Sequence, residues 1–231
     1  MDQVFSDRTI NLCGIYRGTH ARRTGAITQK LSKERARERI LEAAKTRFAE
    51  AGFEAASTRR IAESAGVAQS LLLYHFASKE ELWRAVVDGV FAQAERGLTD
   101  VADRMPDDAD YETRLMNPIR SLVDTFAADA DLHRIILHEG KHESERLTWL
   151  VETHLRRLYE NSIALLKEGQ AAGLVRPGDP TLLHYSIVSI AGTVFSLSPE
   201  IRKLDPHTKA NDPDAVTALI RDVLIIAPRQ S

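Results

Sequence analysis

The chain has 231 residues, 43% apolar and 28% charged, with a formal net charge of −2, a balance that suits a folded, water-soluble protein and excludes a fibrous or largely disordered one. Its single cysteine, Cys13, excludes an intramolecular disulfide and a cysteine-based zinc cluster. No apolar run reaches the length of a membrane span and residues 1–30 carry no continuous hydrophobic stretch of the secretory kind, so a cytoplasmic protein with no membrane partner is expected.

In chain order, residues 1–30 mix turn-forming and polar types without a sustained period and include Arg17, Arg22, Arg23 and Lys30. They read as a flexible basic N-terminal extension able to reach phosphates or a minor groove. Ser32 then caps a first helix whose inner face is Ile40, Ala44 and Phe48, with Leu41 alongside, and Gly52 ends it. The charges Lys33, Glu34, Arg35, Arg37, Glu38 and Arg39 read as a solvated face of near-neighbour ion pairs.

Two short helical patterns follow, joined by a tight turn. Thr58 is placed to cap the first, with Ile61, Ala62 and Ala65 buried, and Gly66 supplies the left-handed residue that the turn needs. Val67, Leu72 and Phe76 continue the apolar face, which leaves Gln69, Ser70, Leu71, Tyr74 and His75 to meet a partner. Ser78 with Glu81 forms a capping box that starts the next helix and puts Lys79 in its first turn, where acidic side chains ordinarily suit the helix dipole. A lysine there reads as a seat for an outside anion. Two helices around a glycine turn are the layout of a helix-turn-helix that reads DNA. Charge agrees: residues 1–80 carry 14 Lys/Arg against 9 Asp/Glu, or +5, and residues 81–231 carry 17 against 24, or −7, which restores −2. The basic excess sits with the DNA-reading pattern.

Beyond Ser78 the chain reads as helix almost throughout. A fourth helix runs from Lys79 to about Asp103 and a fifth starts at Pro118 with Asn117 as cap, Tyr111 to Leu115 forming an extra turn before it. A short sixth spans Leu132 to His138, and a long seventh runs from Ser144 to Ala172 and is ended by Gly173. An eighth opens at Pro180 and runs to about Ser196, and a ninth runs from Asp212 or Pro213 through Ala227. No strand pattern stands out.

At three linked segments the chain resembles the tetracycline-repressor (TetR/AcrR) family of bacterial transcription regulators: FAEAGF from Phe48 to Phe53, the T-x-x-I-A-x-x-A-G-V run from Thr58 to Val67, and L-Y-H-F-x-S-K-E-x-L from Leu73 to Leu82. Together they cover about fifty residues and are specific as a set. The chain departs from the family at Ala68, usually Ser, and at Leu73, commonly Tyr, which leaves the aromatic phosphate contacts to Tyr74 and His75. The resemblance implies an all-α protein of about nine helices: a helix-turn-helix DNA-binding domain over 31–78 and a C-terminal effector-binding and dimerisation domain over 79–231. It implies a repressor released from a palindromic operator by a small-molecule effector. The expected DNA-facing set is Thr58, Arg59, Gln69, Ser70, Leu71, Tyr74, His75 and Lys79, with Gln69 and Leu71 at base edges and Tyr74, His75 and Lys79 on phosphates. The effector cavity is implied among the fourth to eighth helices, with Phe91, Leu122, Phe126, Trp149, Tyr159 and His184 as candidates.

The last two expected helices are apolar beyond one stripe, and the resemblance favours a homodimer built on Leu183, Ile187, Ile190, Val194, Leu219 and Val223. One motif points elsewhere: His138-Glu139-Gly140-Lys141-His142 matches the zinc-hydrolase pattern H-E-x-x-H. Gly140 weakens a helix at its centre, and the charged Glu143, Glu145 and Arg146 follow where a buried catalytic helix is apolar. With no phosphate-binding loop, dinucleotide fingerprint or nucleophile elbow either, neither catalysis nor a cofactor or metal is expected. The alternatives are an effector-free helical DNA-architectural or protein-interaction dimer, and a metal-responsive regulator or zinc hydrolase using the HEGKH segment.

Overall fold

The computed structural model describes the backbone of residues 13–226 and the side chains of residues 33–226. The basic side chains of Arg17, Arg22, Arg23 and Lys30 and the helix end at Ala227 lie outside the described residues. In order, the elements are α1 (Cys13–Ala55), α2 (Thr58–Ser64), α3 (Gln69–His75), α4 (Lys79–Asp103), α5 (Tyr111–Ala128), α6 (Asp131–Glu139), α7 (Glu145–Leu150), a π-helical turn (Val151–Leu155), α8 (Arg156–Ala171), α9 (Pro180–Ser196), α10 (Ser198–Leu204) and α11 (Pro213–Leu224). Among the described residues the only β pairing is an isolated antiparallel bridge between Val175 and Ile225.

The expected start of the first helix at Ser32 is corrected: α1 is already helical at Cys13. Its other end is as read, because Gly52 leaves helical geometry at φ 71°, a conformation that glycine adopts without strain. Ile40, Ala44 and Phe48 are buried as expected, and so are Ile61, Ala62, Leu72 and Phe76. Burying an aliphatic or phenyl side chain of this size stabilises the fold by about 1.5–3 kcal/mol. An exposed ion pair such as Arg59–Glu63 contributes about 0–1 kcal/mol. The apolar faces therefore decide how α1, α2 and α3 pack, and the surface charges only decorate them.

In the body, α5 differs from expectation. Asp110, whose side chain accepts from the Thr113 amide at 2.8 Å, caps it, and Pro118 lies inside the helix. The missing amide costs one backbone bond, but the apolar stripe of Ile119, Val123 and Phe126 reaches back to the buried Leu115, and that packing carries the helix through. The long seventh helix is interrupted by the π turn, where His154 stacks on Phe91 at 4.4 Å and bonds Asp88 of α4 at 2.9 Å. Extra residues in a helical turn re-aim the side chains beyond them. Helix α10 was not expected; its start signal is Pro199 directly after Ser198, and none of its residues is buried.

One cluster of buried apolar residues runs from Ile40 through Trp83 and Phe126 to Leu224, so α1–α3 and the C-terminal body share a continuous core. At the α6–α9 crossing that core contains a buried imidazole. His133 bonds Ser196 Oγ at 2.9 Å, and its ring lies so close to α9 that a Cβ at Gly192 would fall 2.3 Å away. Burial, reinforced by the neighbouring Arg134 charge, lowers its pKa from 6.5 to about 4. The unfolded chain thus takes up this proton more readily, and the contribution to stability is complete above 6.5 and lost as pH falls from there toward 4. Urea midpoints should accordingly drop between pH 7 and pH 5, and His133→Gln, which cannot take the proton, should flatten that drop. An equally steep drop in the variant would remove His133 as its source.

Candidate nucleic-acid interface

The helix-turn-helix is assembled by its buried side. The Gly66 backbone at φ 63° turns the chain between α2 and α3, and Leu72 and Phe76, one helical turn apart, lock α3 into the core. The opposite face stays open: Gln69 and Ser70 are exposed, Leu73 is 48% exposed and Tyr74 67%. Leu71 and His75 sit at the edges, half-buried. Leu73 follows Gln69 by one helical turn and belongs to the open stripe, outside the expected DNA-facing set. Its spacing from Gln69 was the available signal.

Three expected DNA-facing residues behave differently. Thr58 is the first helical residue of α2, not its cap; Ser57 holds the cap position, with no side-chain bond. Arg59 is exposed and paired with Glu63. Lys79 turns inward: its ammonium donates to the carbonyls of Phe53 at 2.9 Å, Glu54 at 3.2 Å and Ala56 at 3.3 Å, and lies 4.3 Å from the Phe53 ring centroid. An ammonium has three donors, and all three are engaged at the end of α1, where unpaired carbonyls carry the negative end of the helix dipole. The end of α1 thus supplies a negative partner for the Lys79 ammonium. Two basic residues of the supposed solvated face have partners on α3 and its C-cap instead: Lys33 lies 5.3 Å from the Tyr74 ring centroid and Arg37 5.3 Å from that of Phe76.

The six effector candidates do not form one group. Phe91 and Trp149 meet through His154, at 4.4 and 5.3 Å, and Trp149 also meets Trp83 at 5.7 Å. Tyr159 bonds Thr181 at 2.9 Å and lies edge-on to His184, which bonds Ser162 at 3.0 Å and whose pKa is lowered by burial. Phe126 is an interior residue against His133, and Leu122 packs half-buried on the core. His154, absent from the sequence-based set, links two of its members.

The dimerisation set also divides. Leu183 and Ile187 are buried in the chain's own core and Ile190 and Val194 pack against it, which corrects the first two as contact residues; Val223 is half-buried. The open apolar side chains are Leu182 at 68% and Tyr185 on α9, with Leu219 at 52% on α11. The HEGKH segment does not become a two-histidine helix face. Helix α6 ends at Glu139 with Gly140 as its cap, His138 packs over Gly52, and Glu139 accepts from Ser144 at 2.5 Å and Arg146 at 3.3 Å. Among the described residues no group of three or more His, Cys, Asp or Glu side chains is placed to hold a metal ion, and no single helix is long and apolar enough to cross a membrane.

A glycine-turned helix pair with one side locked and the other open, beside a basic first helix, defines a helix-turn-helix DNA-binding protein. Residues 40–86 match the family model of bacterial regulatory proteins, tetR family. The transcriptional repressor KstR2 of Mycolicibacterium smegmatis is 30% identical over 66% of this chain and 73% of its own length. The solved ketosteroid transcriptional regulator KstR2 of Mycobacterium tuberculosis superposes with a TM-score of 0.65 at 22% identity, covering 83% of this chain and 95% of that one. AibR, solved with isovaleryl coenzyme A and operator DNA, gives 0.65 at 20% identity over 82% and 97%. The chain belongs to the tetR family of bacterial transcription regulators.

The inward ammonium gives a direct test. Lys79→Met should lower the melting temperature while leaving the salt dependence of DNA binding unchanged, because no phosphate contact is removed. A slope reduced by about one counterion per site would return Lys79 to the phosphates.

Proposed function

We propose that this regulator is a cytoplasmic homodimeric repressor that grips a palindromic operator through the open face of α3 and releases it when a small, largely apolar effector occupies the body. The single observation that carries the reading is the division of α3: Leu72 and Phe76 are fixed in the core while Gln69, Ser70, Leu73 and Tyr74 stand free. Glutamine can bridge adenine, and leucine can touch a thymine methyl. Residues 31–78 act as the reading head and 79–231 as the effector-binding and dimerising body. A structural neighbour, AibR, was solved with both isovaleryl coenzyme A and operator DNA, which supports control by a small molecule, and the ring-rich interior of this body supports an apolar portion in it. Phe91, Trp149 and His154 are the side chains we assign to it, with Tyr159 and His184 as a separate polar pair. Leu182, Tyr185 and Leu219 are the apolar residues free to meet a second copy, joined by the half-buried Ile190, Val194 and Val223.

Selection from a random duplex library should return a palindromic consensus, and Gln69→Ala or Leu73→Ala should relax it by about 1–3 kcal/mol at the affected base pairs. The same consensus from both variants would move base reading off this face. Placing a charge on the proposed subunit contact, in Tyr185→Asp or Leu219→Arg, should produce monomers in sedimentation and weaken the operator complex, since the charge would be buried without a partner and the second half-site lost. Unchanged dimers in both cases would place the contact elsewhere.

A further inference from the structure

The side chains between the reading head and the body form a joint that the reading above leaves unused. Glu139, at the end of α6, has a side chain only 6% exposed. One of its oxygens accepts from Ser144 Oγ at 2.5 Å and the other from Arg146 Nε at 3.3 Å. Ser144 is itself fixed, since its hydroxyl oxygen accepts from the Leu147 amide as the cap of α7. Arg146, 18% exposed, is thus anchored to the body at its inner edge. Its outer edge grips the head: Nη2 donates to Glu54 at 3.1 Å, and the guanidinium carbon lies 3.7 Å from the centroid of the Phe53 ring.

Phe53 is the residue of the head on which these contacts converge. It follows Gly52, where α1 breaks, and its ring stacks on Phe48 and meets Trp83 of α4 edge-on. Arg146 reaches it from the body and Lys79 from α4, both within cation–π range. A second tie joins α1 to the turn between α5 and α6, from Lys45 to Asp129 at 2.5 Å. A guanidinium that is anchored on one edge and packed against a ring constrains direction as well as distance, which an ammonium or an exposed ion pair does not.

From this geometry we propose that Arg146, held by Glu139, is a positioning residue that sets the angle of the reading head on the body and so enforces the spacing of operator half-sites. The proposal rests on the dimeric reading above. In a dimer, one base pair added between half-sites displaces one of them by about 3.4 Å and turns it by about 35°. Rigid joints refuse that change and loose ones follow it.

The test uses the full-length protein and the duplex that the wild type selects, with one base pair inserted or removed at its centre. Wild type should bind the altered duplexes much more weakly than the selected one. Arg146→Met and Glu139→Gln should lower that discrimination by about tenfold, within the range by which residues linking two sites change their coupling. Affinity for random duplex should stay unchanged. Arg146→Lys should fall between, and Arg157→Met, which removes an exposed body pair with Glu95, should discriminate as wild type does. If Arg146→Met does not fold, Glu139→Gln, of nearly unchanged shape, decides the matter. Wild-type discrimination retained in Glu139→Gln and in any folded Arg146 variant overturns the proposal alone. A wild type that selects no palindrome, or ignores spacing, overturns the dimeric reading and the proposal with it.

Discussion

Helix α1 is buried from two directions at once. Ile40, Ala44 and Phe48 belong to the same core as α2 and α3, and His138 of α6 presses on Gly52 so closely that a Cβ there would meet its imidazole at 3.0 Å. A helix held between the DNA-reading pair and the body cannot tilt for one without disturbing the other. Close-packed interiors transmit such displacements because they leave little free volume to absorb them.

Polar groups then set direction within that frame. Apolar burial is strong but insensitive to a few degrees of rotation, whereas the three carbonyl bonds of Lys79 and the two-edged grip of Arg146 are met in only a narrow range of geometries. Both cations converge on Phe53, beside the break in α1. Changes in these polar contacts therefore alter how α1 meets α4 and α7 at that break.

The body adds an aromatic relay to the same region. Phe53 meets Trp83, Trp83 meets Trp149, Trp149 meets His154, and His154 stacks on Phe91 of α4 at the π turn. A ligand among these rings would act on α4 and on the Phe53 joint together. For that displacement to favour release, the ligand must bind the DNA-incompetent arrangement more tightly than the competent one.

Much was legible along the chain because it depends on near neighbours. The period of Ile40, Ala44 and Phe48, the left-handed Gly66, the Ser78 cap and the bounds of α4 and α9 all follow from spacing, capping and backbone sterics within a few residues, and they suffice for an all-α helix-turn-helix protein. Tertiary structure decided the features that depend on partners distant in sequence. Lys79 reads as a phosphate ligand until the end of α1 is placed against it, 23 to 26 residues away. Leu183 and Leu182 are equally apolar, and only packing against the core buries one and exposes the other. Pro118 looks like a helix start until Leu115 is seen to be buried one turn earlier. Glu139 looks like part of a metal motif until Ser144 and Arg146 take both its oxygens. Local sequence determines which backbone conformations are cheap; which side chain finds a charge, a ring or a carbonyl is settled only when distant segments are brought together.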